Sequence, residues 1–123
     1  MINTNYSTMV KDLKKPGEDV VSSLTPTKAD LLHMAVGVSG EAGELLDAVK
    51  KHTIYNKPLD LNNVIEELGD LEFYMEGLRQ IINVDRETIL VANMNKLRDG
   101  SKPRYASGVY SDTQAQERKD KVL

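Results

Sequence analysis

Cysteine is absent from this 123-residue sequence, which excludes a disulfide framework, a Cys zinc site and a thiol nucleophile. Tryptophan is absent too, and one Phe stands beside five Tyr. That is too few aromatic side chains for a surface that stacks single-stranded nucleic acid. Basic residues do not dominate: 16 Lys and Arg face 19 Asp and Glu, for a net charge of −3. Such a balance argues against nucleic acid or an anionic membrane as partner. No stretch approaches the roughly 20 apolar residues of a membrane span. Met1 to Lys15 has no continuous apolar core of the kind a signal peptide needs. These absences predict a soluble, cytoplasmic protein.

Strand signals are also scarce, and helical spacing fills the space they leave. With 40% hydrophobic residues the chain can bury a core, and its length suits one domain, residues 1–123, with a core of about 27–99. Tyr6, Met9, Val10 and Leu13 share a helix face, which Pro16-Gly17 stops. A loop is expected through Ser22, Ser23 and Thr25. A long helix follows at about 28–52, with Pro26 in its first turn and Thr27 and Asp30 as a capping box. Its apolar stripe is Leu31, Leu32, Ala35, Val38, Ala42, Leu45, Leu46 and Val49. The next helix spans about 62–82, after Asp60, Asn62 and Asn63. The last begins after Asp85 and runs to Asp99, with Gly100 as its stop. Residues 101–123 are polar and read as an extended tail, with a short helix near 113–120. A domain this small leaves apolar helix surface to be covered by another subunit.

The two central helices echo each other. Glu41-Ala42-Gly43-Glu44 and Glu67-Leu68-Gly69-Asp70 both read acid-x-Gly-acid. Acids three apart share a helix face. Two such helices packed antiparallel would bring four carboxylates together. Gly inside a helix costs about 1 kcal/mol relative to Ala, yet it recurs beside both pairs. A small residue there permits close approach or leaves room for a ligand. Four converging carboxylates need protons or cations to compensate them. All-oxygen ligands favour hard ions, Mg²⁺ first and Mn²⁺ next, and such ions serve phosphoryl or nucleotidyl chemistry. The competing reading is a solvated helix face with surface ion pairs, as in a non-catalytic regulatory or assembly module.

Taken with their flanks, Gly40 to Lys51 and Glu66 to Leu71, these motifs resemble the signature of MazG-like nucleotide pyrophosphohydrolases, of the all-alpha NTP pyrophosphatase superfamily. Asn93-x-x-Lys96-Leu97 and Arg104-Tyr105 look like that family's C-terminal segment. The compact form suggests its small phage or bacterial branch. The resemblance implies an all-α, four-helix bundle-like fold that forms a homodimer or homotetramer. It implies two or three Mg²⁺ per site, held by Glu41, Glu44, Glu67 and Asp70. Glu66 would be an outer ligand or help activate water. The reaction implied is attack of water on the α-phosphorus of a (d)NTP, giving (d)NMP and pyrophosphate. A phosphoribosyl-nucleotide substrate would use the same site.

Several other residues are candidates for substrate. Lys96 and Arg104 are offered to the phosphates, and Lys50 is a further cation near a helix end. The family's tight Lys-Leu-x-x-Arg-Tyr run is interrupted here by residues 99–103, so Arg98 competes with Arg104. Asn93 suits sugar or base, Tyr105 a stacking role, and His33, two turns before Glu41, a base pocket. Ordinary helix-end and packing roles are the alternative for each.

Overall fold

Seam positions spaced alternately three and four apart dictate the centre of the fold. In the computed structural model, which describes residues 4–121, two long helices pack along such seams. Residues 1–3 and 122–123 of the expected domain lie outside the described residues. The chain is all-α, and no strand occurs among the described residues.

The order is α1 (Thr4–Leu13), α2 (Gly17–Ser23), α3 (Pro26–Thr53), α4 (Leu61–Ile82), α5 (Arg86–Met94), a π-helical turn (Asn95–Asp99), α6 (Asp112–Glu117) and a 3₁₀ turn (Lys119–Lys121). On α3 the half-buried or buried seam residues are Leu31, Met34, Val38, Glu41, Leu45 and Ala48. On α4 they are Val64, Glu67, Leu71, Tyr74, Leu78 and Ile81. Met34 meets Gly77, Gly37 meets Tyr74, and Glu41 meets Glu67. Residue numbers run in opposite senses along these pairs, so the two helices form an antiparallel hairpin. Gly37 is required by this packing, because a Cβ there would enter the Tyr74 ring.

The helix ends follow from local chemistry. Thr25, not Thr27, caps α3: its Oγ1 accepts from the Lys28 N–H at 3.2 Å. Pro26 lacks an N–H and suits the first helical position, which moves the cap to the residue before it. Asp60 accepts from Asn63 N–H at 3.1 Å and Asp85 from Thr88 N–H at 2.8 Å, starting α4 and α5. Asn83, in the left-handed region at φ 57°, closes α4.

Three expectations need correction. The segment expected as a loop through Ser22 and Ser23 is largely α2. Glu18 and Asp19 stand in its first turn, where negative charge suits the helix dipole. The two serine hydroxyls donate back to the carbonyls of Asp19 and Val20, and so do not break the helix. The helix expected to reach Asp99 is α-helical only to Met94 and then widens into the π turn, where Gly100 N–H donates to Asn95 carbonyl at 2.9 Å. A side chain on Gly100 would strike that carbonyl. The tail is not extended. Arg104 and Tyr105 N–H groups donate to the carbonyls of Lys96 and Leu97, both at 2.9 Å. Gly108, at φ 81°, then turns the chain towards α6.

A single chain buries little. Among the described residues only Ala48 and Glu67 are buried, and neither completely. The outer side of α3 carries Leu32, Val36, Ser39, Gly43 and Leu46 at the same alternating spacing, and Leu32, Val36 and Leu46 are exposed. Leu68 and Phe73 of α4 are exposed as well. Within one chain, therefore, the bundle consists of one packed antiparallel pair with apolar outer faces. No helix among the described residues is long and apolar enough to cross a membrane.

Candidate metal centre

Two seam positions that would serve stability best as leucines are glutamates. Glu41 of α3 and Glu67 of α4 face each other inside the hairpin, and Asp70 follows one turn along α4. One carboxylate oxygen from each of Glu41, Glu67 and Asp70 lies within 4.8 Å of the others. Glu67 is buried, Glu41 half-buried and Asp70 exposed, so the group opens from the seam to solvent.

Glu67 carries the electrostatic signature. Its Oε2 is buried with no hydrogen-bond partner. A buried polar atom left unpaired is rare and calls for a ligand or a proton. Its carboxyl is pushed up to about 7, first by the hydrogen bond with Glu41 and then by burial. The negative charges of Glu41, Asp70 and Glu44 add to this. Two carboxylates can hydrogen-bond only if they share a proton, so one proton in this group stands where a cation can go. All donors are oxygen, which fits a hard divalent ion. The residues present therefore fit the metal that the sequence motif implies.

Three of the four expected ligands thus come together. Glu44 lies outside the tight group, on α3 one turn after Glu41, yet close enough for its charge to act on Glu67. Glu66 is exposed, about 100° round α4 from Glu67. A Cβ at Gly43 or Gly69 would meet no atom within 4 Å. These two glycines are not needed for packing within the chain, in contrast to Gly37.

The expected substrate residues are dispersed. His33 is exposed on α3, with its ring centroid 6.5 Å from that of Tyr74. Lys50 pairs with Asp47 at 3.5 Å and lies 5.9 Å from the Tyr55 ring centroid. Asn93 lines a cavity of about 280 Å³ beside Met94, Leu97 and Arg98. Lys96 is exposed on the π turn. Arg98 pairs with the adjacent Asp99 at 2.7 Å. The Arg104 guanidinium is held by Asp120. Tyr105 is half-buried, with its ring centroid 5.9 Å from that of Tyr110. None of these side chains forms an ion pair or hydrogen bond with the carboxylate group. Asp120 has a defined role that sequence reasoning missed; no local pattern links it to Arg104, 16 residues away.

The family model described as the MazG nucleotide pyrophosphohydrolase domain matches residues 30–104, well over half of the chain. The chain belongs to the MazG family. It is therefore a hydrolase of the nucleotide pyrophosphohydrolase class. No curated protein and no solved structure compared with the chain matches it. The MazG match takes in both halves of the hairpin, every carboxylate of the centre, and α5 with its π turn. It ends at Arg104, so α6 and Asp120 lie beyond it.

Proposed function

We propose that this MazG protein is a Mg²⁺-dependent hydrolase that converts a (d)NTP and water into (d)NMP and pyrophosphate. The observation that carries the proposal is the buried, unpartnered Oε2 of Glu67 between Glu41 and Asp70. A structural or assembly role alone gives no reason to place an acid at that seam position, since a leucine there would pack without desolvating a carboxyl.

Glu41, Glu67 and Asp70 would hold the ion or ions, with Glu44 as a fourth carboxylate on the solvent side, and Mn²⁺ would substitute for Mg²⁺. Bound there, divalent cations supply the positive charge an acidic protein lacks for a polyphosphate, and make water more acidic. The water oxygen forms a bond to the α-phosphorus. The bond from that phosphorus to the oxygen bridging to the β-phosphorus breaks, and that oxygen leaves with pyrophosphate. The water's proton passes to a carboxylate beside the group, a role proposed for Glu44, whose charge acts on Glu67, or for Glu66, the neighbour of Glu67 in the chain. Lys96 and Lys50 are the cations proposed for the outer phosphates. Asn93, His33 and Tyr105 are proposed for the sugar and base.

The working form is a homodimer or homotetramer. Leu32, Val36 and Leu46 on α3, with Leu68 and Phe73 on α4, give a second hairpin an apolar face to cover. Gly43 and Gly69 face outward and leave room for close approach.

The test is a panel of NTPs and dNTPs with and without Mg²⁺, read by pyrophosphate release. Release should need the metal and fall at least about 100-fold in Glu67→Gln or Asp70→Asn. Release of single phosphate instead, or full activity in both variants, would overturn the proposal.

A further inference from the structure

Arg104 sits where the chain turns back from the π turn, and it grips two segments at once. Its main-chain N–H donates to the Lys96 carbonyl, and the next N–H, of Tyr105, donates to the Leu97 carbonyl. Its side chain reaches the other way. Nε donates to Asp120 Oδ1 at 2.9 Å and Nη2 to Oδ2 at 3.1 Å, a bidentate pair. The pair is sheltered, with side-chain exposures of 18% for Arg104 and 3% for Asp120. Most other ion pairs of the described residues are solvent-exposed, as between Lys51 and Asp47 or Lys119 and Glu117, and link residues only a few positions apart in the chain. The guanidinium also holds the Asp120 carboxyl down at about 2, so the pair stays ionised at any working pH. Arg118, at φ 50°, ends α6 and brings the chain round so that Asp120 meets it.

We infer that Arg104 is a positioning residue: its ion pair with Asp120 fastens the C-terminal segment to the π turn and so fixes Lys96 and Arg98, instead of holding a substrate phosphate itself. Asp120 takes the Nε/Nη2 edge of the guanidinium, and a phosphate could claim that edge only by displacing a buried carboxylate, which would then be left without its counter-charge. The main-chain bonds at residues 104 and 105 carry the effect, because they end on carbonyls of the turn that bears both cations. Of the two residues of this latch, Arg104 is the last of the family-matched segment, and Asp120 lies beyond it. The kinetic part of the inference rests on the proposed hydrolase reading; the structural part does not.

The experiment compares Asp120→Asn, Arg104→Gln and the double variant in the full chain. Amide hydrogen exchange at residues 104–105 and 112–121 reads the latch. The steady-state split of KM from kcat reads its effect on substrate. Each single variant should speed exchange by about tenfold or more. Each should raise KM about fivefold with kcat little changed, and the double variant should be no worse than either single. The inference is overturned if Asp120→Asn leaves exchange at the wild-type rate. It is equally overturned if Asp120→Asn leaves or lowers KM while Arg104→Gln raises it, since Arg104 would then be acting on substrate directly. If the wild-type protein releases no pyrophosphate at all, the hydrolase reading fails, and the exchange measurement alone decides the latch.

Discussion

Adding Mg²⁺ to the metal-free protein should expel a proton, and the amount is set by Glu67. Its carboxyl is pushed from an ordinary 4.5 up to about 7 by Glu41, by burial, and by the charges of Asp70 and Glu44. At pH 7 roughly half of the molecules then carry a proton there; the fraction is about 0.9 at pH 6 and about 0.1 at pH 8. A divalent ion requires the ionised carboxylate, so binding displaces that proton. A calorimetric titration with Mg²⁺ in two buffers of different ionisation enthalpy counts it. The expected release is about 0.5 proton per chain at pH 7, rising toward pH 6 and vanishing near pH 8.5. Glu67→Gln should abolish the release. Stability follows the same linkage. The folded state binds more protons than the unfolded state between pH 4.5 and about 7. The metal-free protein therefore loses stability as pH rises through that window and levels off above it. Saturating Mg²⁺ should remove the slope. Mg²⁺ binding with no proton release anywhere between pH 6 and 8 would refute the reasoning.

Two further outcomes follow from the packing. Gly37→Ala should destabilise the protein by about 1–3 kcal/mol, because the new methyl enters the Tyr74 ring and overpacking outweighs the gain in helix propensity. A Cβ at Gly40, off the outer face of Leu32, Val36 and Leu46, meets nothing within 4 Å, so thermal denaturation should separate Gly37→Ala from Gly40→Ala by several degrees. Leu46→Glu places a charge on a residue 67% exposed in the single chain. Size-exclusion chromatography with light scattering should show an oligomer in the wild type and a monomer in this variant; an unchanged mass would remove the α3 outer face from the interface.

The hairpin was legible in the sequence because its seam is long and its end signals are strong. Asp60, Asp85 and Gly100 act where their chemistry predicts. The carboxylate centre was legible because each acid pair is three apart on a helix and the pairs echo across the turn. Which acids sit deepest was less so. Glu41 and Glu67 occupy seam positions, whereas Glu44 is turned to one side, and only the register of α3 against α4 decides this. The cap of α3 was misplaced by two residues because Thr27 and Asp30 imitate a capping box that Pro26 pre-empts. Helix α2 was hidden by its serines, whose hydroxyls bond back to the helix instead of ending it. The folded tail was invisible for a different reason. Arg104 and Asp120 are 16 residues apart, and nothing in either one's local pattern names the other.

The most direct test of the account is a Mn²⁺ soak with anomalous diffraction on crystals of the protein. The account predicts a peak within bonding reach of Glu41, Glu67 and Asp70, lost in Glu67→Gln. A map with no peak there, or with its only strong peak away from all three carboxylates, would contradict it.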